Sequence, residues 1–585
     1  MYDCDLLIEN GLIVDGSGGA PFIGDVAING ARIVSVGGFT GSPRERIDAT
    51  GMVVTPGFVD VHTHYDGQAI WSEEMSPSSS HGVTTVVTGN CGVGFAPCRP
   101  QDHQLLIRVM EGVEDIPGVV MAEGLPWDWE TFPQFLDALD ARAHDIDLAA
   151  YLPHSPLRVY VMGERGALRE AATADDLARM KALAREALDA GAVGLATSRL
   201  VIHRTKDGQQ IPSYAAADTE LCTIAEAMAE SGKGVFQIVL DLAPDGWDSE
   251  LDRLMAVVQS SGRPATFTMA TANSGPPTWP AAMKRIARAN AAGADVCAQV
   301  LPRPIGVIGG FALSTHPFCL CPSYQPLVGQ PLEAQLGRLH DPEFRQALLS
   351  ETPAEGHPLA MLTRNWNWMF PLSDPPDYAP PREASMAAQA AARGCSPQEV
   401  AYDTLMNGGS GANDGGGLLY NTLGNFHEGR LDALYELMTG PNTVPGLGDG
   451  GAHYAAICDA SYPTFMLSYW VRDRDGPRLS LAQAVKALAA DPARLVQLHD
   501  RGRLAPGFKA DLNVIDLDAL ALHRPVIRDD LPGGGRRLDQ RATGYVATIC
   551  AGQTIRRHDQ PTGARPGKLV RGRQDAPAPT LAETA

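Results

Sequence analysis

Two histidines one residue apart end an apolar run in Pro56-Gly57-Phe58-Val59-Asp60-Val61-His62-Thr63-His64-Tyr65-Asp66. Met52-Val53-Val54 and Phe58-Val59 read as a buried strand, with His62 and His64 at its end. Side chains two apart on a strand face the same way. Two imidazoles on one face of a strand end can share one metal ion. A second such feature stands far downstream, in Val444-Pro445-Gly446-Leu447-Gly448-Asp449-Gly450-Gly451-Ala452-His453. There a carboxylate, Asp449, sits between glycines after a short apolar strand, which suits close approach to a metal and a substrate.

The chain around these features alternates strands and helices. Thr173 is a helix N-cap with Asp175 and Asp176 in the first turn. Leu177, Met180, Leu183, Ala184 and Leu188 follow at helical spacing, and Gly191 stops the helix before the strand Ala192–Thr197. Ser480-Leu481-Ala482-Gln483 opens another helix with a capping-box pattern. This alternation predicts an α/β fold with a parallel sheet closed as a (β/α)8 barrel over residues 56–499. Chemistry in such a barrel sits at strand C-terminal ends, where His62, His64, Cys91, Ser198 and Asp449 all fall. The two ends of the chain are instead rich in short strands with Gly and Asn-Gly turns. Residues 1–55 and 500–565 therefore predict one small β-sandwich built from both termini. Proline-interrupted residues 316–385 read as an insertion, either a packed subdomain or a substrate-side wall, with Trp366, Trp368 and Phe370 inside it. Residues 566–585 read as a loose tail. The glycine-rich stretch from Asn407 to Gly417 lacks the Lys-Ser/Thr of a phosphate loop and reads as a flexible active-site loop.

At 585 residues the chain exceeds one ordinary core. Its net charge of −21 argues against nucleic acid and against an anionic membrane surface as partners. The N-terminus has no signal-peptide pattern, and no apolar run is long enough to span a bilayer. Ten scattered cysteines fit reduced thiols. The expectation is a cytoplasmic protein acting on a small molecule, with homo-oligomerisation left open.

The Pro56–Asp66 segment resembles the first barrel strand of the amidohydrolase superfamily. Its continuation Tyr65-Asp66-Gly67-Gln68 and the stretch Gly82–Gly92 resemble the N-acyl-D-amino-acid deacylase branch, as do His154-Ser155-Pro156-Leu157-Arg158 with Met162-Gly163, and Leu504–Leu512. The resemblance runs over roughly residues 1 to 560 and supports the barrel-plus-sandwich arrangement. It implies a divalent metal, zinc, one per chain, with His62, His64, Cys91 and Asp449 as ligands. It also implies that Asp449 deprotonates a metal-activated water and later protonates the leaving nitrogen. The implied substrate is an N-acyl amino acid, with the D configuration suggested by the branch. Hydrolysis of a cyclic amide, carbamate or ester on the same scaffold is the alternative, and a degenerate barrel that binds a ligand without turnover is a third reading. His154, Arg199, His203 and Arg204, which follow strands three and four, are the expected substrate-binding side chains; an arginine can clamp a carboxylate bidentately.

The sequence departs from this branch at two places. The deacylases carry histidines at the ends of strands five and six. Here the matching stretches, Gly234–Asp241 and Arg263–Thr271, contain none, and no histidine occurs between His203 and His316. Three arrangements follow. One ion could bind through His62, His64 and Asp449, completed by Cys91 or by His203, His453 or Asp241. Metal could bind weakly or be other than zinc, or the site could be metal-free. No lysine stands at the end of strand four to bridge two metals, so a bridged binuclear centre is not expected.

Overall fold

The computed structural model describes residues 2–243, 246–353, 360–408 and 414–578. Eight parallel strands pair in chain order: β1 (Phe58–Asp60), β2 (Val83–Thr88), β3 (Asp147–Pro153), β4 (Gly194–Ser198), β5 (Val235–Val239), β6 (Ala265–Thr268), β7 (Val296–Val300) and β8 (Thr443–Pro445). The ladder runs from β1 to β8, and the loops beyond those two strands close it. Asp449 N donates to His62 O at 3.1 Å, and His64 N donates to Gly450 O at 2.7 Å. The barrel expected from the alternating pattern is therefore present, and its last seam lies at the C-terminal mouth.

Strand alternation sets what faces inward. In β5, Phe236 and Ile238 belong to the core shared with the outer helices, while Val235 belongs to the barrel's own interior with Val59, Val61, Val87, Tyr151, Ala196, Cys297 and Val444. That apolar layer fills the barrel, as packed side chains do in this fold. Outside it, the helix Ala174–Ala190 starts at Thr173 with a reciprocal cap to Asp176 and stops at Gly191, whose φ of 118 no side chain tolerates well. Helix Leu481–Leu488 starts with the Ser480–Gln483 box.

Both ends of the chain meet in one nine-stranded sheet. Its spatial order is Gln560–Pro561, Gln553–Arg557, Tyr545–Cys550, Leu512–Ile515, Val53–Pro56, Cys4–Ile13, Phe22–Asn29 and Arg32–Val36. The long strand Cys4–Ile13 bends at Asn10, which has a φ of 61, and pairs on one edge with two strands in turn. Its first half pairs with Pro43–Asp48 and its second half with Val53–Val54. The bend folds the sheet over a core of Leu6, Ile8, Val26, Ile28, Val514 and Ile549.

Buried charges tie this sheet to the bottom of the barrel. Asp147, at the start of β3, accepts from Arg501 Nη1 at 2.6 Å and pairs with Lys509 Nζ at 2.9 Å, and Lys509 also pairs with Asp511 at 2.8 Å. Burial pushes the Asp147 carboxyl up, but Lys509 and Arg501 together hold it below the usual carboxylate range. Lys509 and Asp511 come from the Leu504–Leu512 stretch that carried part of the resemblance. That stretch serves as structural mortar between the two units.

Residues 301–442, between β7 and β8, form a further unit. It holds a three-stranded antiparallel sheet, Ile305–Gly309, Leu419–Gly424 and Met369–Pro371, and its own apolar core around Phe311, Phe318, Tyr324 and Tyr402. Residues 316–385 lie inside this longer segment. Phe370 is fully buried, and Trp366 and Trp368 pack half-buried against the two neighbouring cores. Fully buried Arg303 anchors the unit, donating to Ser461 Oγ at 2.8 Å, pairing with Asp459 and stacking 4.1 Å from the Tyr378 ring centroid.

The stretch 566–578, expected as a loose tail, is instead bonded along the barrel. Gly567 N donates to His144 O at 2.9 Å, Val570 N to Leu148 O at 2.6 Å and Gln574 N to Gln497 O at 3.0 Å. Backbone groups beside β3 that lack a strand partner on that side find one there. Residues 579–585 of that tail, and residues 409–413 of the glycine-rich loop, lie outside the described residues. All ten cysteines are free thiols, and no described helix is long and apolar enough to cross a membrane.

Replacing Asp147 by Asn leaves Arg501 and Lys509 buried without their shared anion. Breaking one partner of a buried ion pair costs about 3–5 kcal/mol. Asp147→Asn is expected to lower the thermal midpoint measured by calorimetry, with no change in metal content.

Candidate metal centre

Four side chains converge at the barrel mouth. His62 Nε2 lies 3.4 Å from Cys91 Sγ and 3.5 Å from Asp449 Oδ1. His64 Nε2 lies 3.8 Å from Cys91 Sγ and 3.6 Å from Asp449 Oδ1. The ligand atoms of His62, His64 and Cys91 all fall within 4.8 Å of one another.

Local structure places each of them. The Asp60 carboxylate, at the end of β1, accepts from His62 N at 3.1 Å and turns the chain as it leaves the strand. Cys91 sits in a left-handed turn, φ 58, after β2, and its N–H donates to Gln237 Oε1 on β5 at 3.2 Å. Asp449 is left-handed too, φ 47, as are Leu447 and His453. Such conformations in non-glycine residues cost about 1–3 kcal/mol each and cluster where function needs a fixed geometry. The flanking glycines permit the approach: a Cβ on Gly448 would lie 2.3 Å from Asp60 Oδ2, and one on Gly451 would lie 2.7 Å from His64 O.

The protonation of these groups is telling. Burial takes His62 down to about 4 and His64 to about 3, so both are neutral near pH 7. His62 Nδ1 is 2.6 Å from Gln299 Oε1, an acceptor, so the ring proton sits on Nδ1 and the Nε2 lone pair faces the cluster. Burial, then Glu114, Asp449 and Asp66, pushes the Cys91 thiol well up. Asp449 Oδ1 makes no hydrogen bond. Cys91 Sγ thus faces the Nε2 atoms of His62 and His64 at 3.4 and 3.8 Å, and Asp449 Oδ1 faces the same two atoms at 3.5 and 3.6 Å. A tetrahedral ion holding nitrogen, oxygen and sulfur at about 2.0–2.3 Å has ligand–ligand edges of about 3.3–3.8 Å. The His62, His64 and Cys91 donors fit one small divalent cation, with Asp449 Oδ1 beside both histidines.

Glu114 also enters this cluster, a residue that pattern reading passed over. It follows the helix His103–Val113, and its Oε2 lies 3.4 Å from His64 Nε2 and 3.6 Å from His453 Nε2. Glu114 falls four residues after Met110 and seven after Ile107, both buried. A carboxylate continuing the apolar face of an amphipathic helix was the available signal. His453 and His203, considered as substitutes for the missing histidines, do lie close. His453 is taken to about 4 by burial, partly offset by Asp449. His203 holds Ser198 Oγ at 2.8 Å and is taken to about 3 by burial, with the neighbouring His453, His64 and His62 adding to the drop.

Other expected site residues are engaged elsewhere. Both ring nitrogens of buried His154 are taken, Nδ1 by Thr197 Oγ1 and Nε2 by Glu220 Oε1, each at 2.9 Å. Arg199 pairs with Glu250 at 3.1 Å and donates to Tyr214 O and Ala216 O, bracing its own loop. Arg204 donates to Gly208 O at 2.9 Å. Asp241 caps its own turn, accepting from Ala243 N at 3.3 Å. Where histidines are absent, β5 and β6 present buried Gln237 and Thr266. A cavity of about 950 Å³, lined by Trp71, His523, Arg528, Arg556 and Arg565 among others, contains none of the cluster residues.

A model of the Amidohydrolase family matches residues 45–556. The chain belongs to that family. It is 28% identical over 522 residues to the N-acyl-D-glutamate deacylase of Alcaligenes xylosoxydans xylosoxydans, covering 88% of each chain. To the D-aminoacylase of the same organism it is 37% identical over 194 residues, 33% of this chain and only 37% of that protein's length. Among solved structures, it matches the N-acyl-D-glutamate deacylase of Bordetella bronchiseptica, complexed with zinc and a phosphonate inhibitor. The TM-score there is 0.64 at 23% identity, over 97% of this chain and 99% of that one. That likeness establishes the fold of this family member.

Gln299 is expected to matter through His62 alone. Supports of a metal-bound histidine are worth about 10–100-fold in metal affinity. Gln299→Leu is expected to weaken zinc binding by that amount in competition with a chelating dye; unchanged affinity would remove Gln299 from this role.

Proposed function

We propose that the chain is a metal-dependent amidohydrolase that cleaves the carbon–nitrogen bond of a small linear amide, an N-acyl amino acid of D configuration. The observation that carries this reading is the convergence of the His62, His64 and Cys91 donor atoms in the mouth of the barrel, with Asp449 Oδ1 at 3.5 and 3.6 Å from the two histidines. The family and the relatives support the reaction class, and the deacylase relatives support the substrate class.

His62, His64, Cys91 and Asp449 would hold one divalent ion per chain, zinc. Bound there, it supplies Lewis acidity towards water and an amide carbonyl. The protein's own part rests on Asp449. Its side chain is 21% exposed, against 1% for each histidine, so it is the member of the cluster that meets incoming substrate. Asp449 takes a proton from the attacking water as oxygen bonds to the carbonyl carbon. It gives that proton to the nitrogen as the C–N bond breaks, leaving a carboxylic acid and an amine. Left-handed backbone and two hydrogen-bonded seams to the His62–His64 segment keep the carboxylate where both transfers can occur.

One observation favours a second reading. Arg199 and Arg204, the expected clamps for a substrate carboxylate, are occupied by protein groups. An uncharged substrate such as a cyclic amide needs no clamp. A panel of N-acyl-D-amino acids, their L forms and cyclic amides separates the readings: preference for the N-acyl-D set supports the first, and turnover confined to cyclic amides replaces it. Asp449→Asn is expected to lower turnover of whichever substrate is found by about 10²–10⁴-fold. Persisting turnover would remove Asp449 from the proton transfers.

A further inference from the structure

Glu114 has no ordinary reason to be where it is. Its side chain is 2% exposed, and its Oε1 has no hydrogen-bond partner. Among the described residues no lysine or arginine pairs with it; its charged neighbours include the acids Asp449 and Asp66. An isolated carboxylate so buried is costly unless a cation or a proton neutralises it. The main chain nevertheless fixes it in place. Glu114 N donates to Met110 O at 2.9 Å, ending the helix, and Glu114 O accepts from His453 N at 2.5 Å. Asp115, with a φ of 49, turns the chain away immediately afterwards.

The loop bearing His453 is fixed from its other side as well. Ile308 N, in the segment between β7 and β8, donates to Ala456 O at 2.6 Å. Glu114 is thus held between the His64 ring and a rigid loop. Its Oε2 stands 3.4 Å from His64 Nε2, the separation that Cys91 Sγ keeps from His62 Nε2. That is a ligand's spacing from a fellow ligand. His64 Nε2 lies within 3.4–3.8 Å of Cys91, Asp449 and Glu114.

We propose that Glu114 is a further ligand of the ion bound by His62, His64, Cys91 and Asp449, with His453 as its positioning partner. This rests on the reading of that cluster as a metal site. The ligand set then contains two imidazoles, one thiolate and two carboxylates. It is richer in hard oxygen than a thiolate–imidazole shell, so it accepts more than four ligands, a water among them, and binds manganese or cobalt as well as zinc. The side chains that β5 and β6 present, Gln237 and Thr266, offer no such donor, and the β2 loop takes over from them.

The test is metal affinity for the wild type, Glu114→Gln and His453→Gln, by competition with a chromophoric chelator, beside the visible absorption of the cobalt-loaded proteins. Glu114→Gln is expected to lose more than about 100-fold in zinc affinity, beyond the range of a residue that only supports a ligand. Its manganese binding should disappear. His453→Gln is expected to cost about 10–100-fold and to leave the cobalt band positions unchanged. The wild-type cobalt bands should have the weak intensity of a high coordination number and become more intense in Glu114→Gln. A loss of only a few-fold with unchanged bands would overturn the proposal. So would a wild type that binds two ions per chain, of which Glu114→Gln loses just one, because Glu114 would then serve a separate site. If Glu114→Gln does not fold, intense tetrahedral cobalt bands in the wild type would overturn it and weak ones support it. A wild type that binds none of the three metals fails the metal reading itself, and this proposal with it.

Discussion

A set of buried metal-binding side chains crowded together at the barrel mouth is the constraint on which this structure turns. His62 and His64 are neutral near pH 7, Gln299 fixes the His62 tautomer, and Cys91 and Asp449 point at the same space. Asp449 Oδ1, the carboxylate oxygen facing both rings, has no hydrogen-bond donor of its own. The protein supplies no lysine or arginine there among the described residues. Everything nearby is built to keep the donors from moving apart: left-handed turns at Cys91 and Asp449, glycines that admit close contact, and a barrel seam made by the site's own backbone. A rigid, pre-formed set of donors binds an ion without the cost of reorganising to meet it.

The same economy explains how the distant parts of the chain contribute. The sheet made from both termini is locked to the barrel floor by Asp147, Lys509 and Arg501, and the 566–578 stretch runs along the same side. The segment 301–442 packs its own core and braces the His453 loop through Ile308. Stability is concentrated at the bottom and around the sides of the barrel. Left-handed turns at Cys91, Leu447, Asp449 and His453 cluster at the mouth, where this architecture places its chemistry.

Much of this was legible in the sequence. The cap signals at Thr173 and Ser480 rest on local chemistry, and both helices began where their pattern put them, whereas the apolar run read as one strand split into Val53–Pro56 of the terminal sheet and Phe58–Asp60 of the barrel. The nine-stranded sheet was visible only as two strand-rich ends, because pairing between residues as far apart as Val54 and Val514 leaves no local trace. The reading of Arg199 and Arg204 as substrate clamps missed their partners for the same reason: Glu250 lies some fifty residues from Arg199 in sequence. Residues 566–578 looked loose because their partners, His144 and Leu148, are backbone groups that composition cannot reveal. Glu114 was overlooked because one acid among Glu111, Glu114 and Asp115 reads as a solvated helix end. Only its place on the apolar face of the preceding helix marks it as buried.

The most direct test of this account is metal content per chain by mass spectrometry, on protein purified without chelator, beside a His62→Ala/His64→Ala variant. The account predicts about one equivalent of divalent metal in the wild type and its loss in the variant. No metal in the wild type, even after zinc or manganese is supplied, would contradict it.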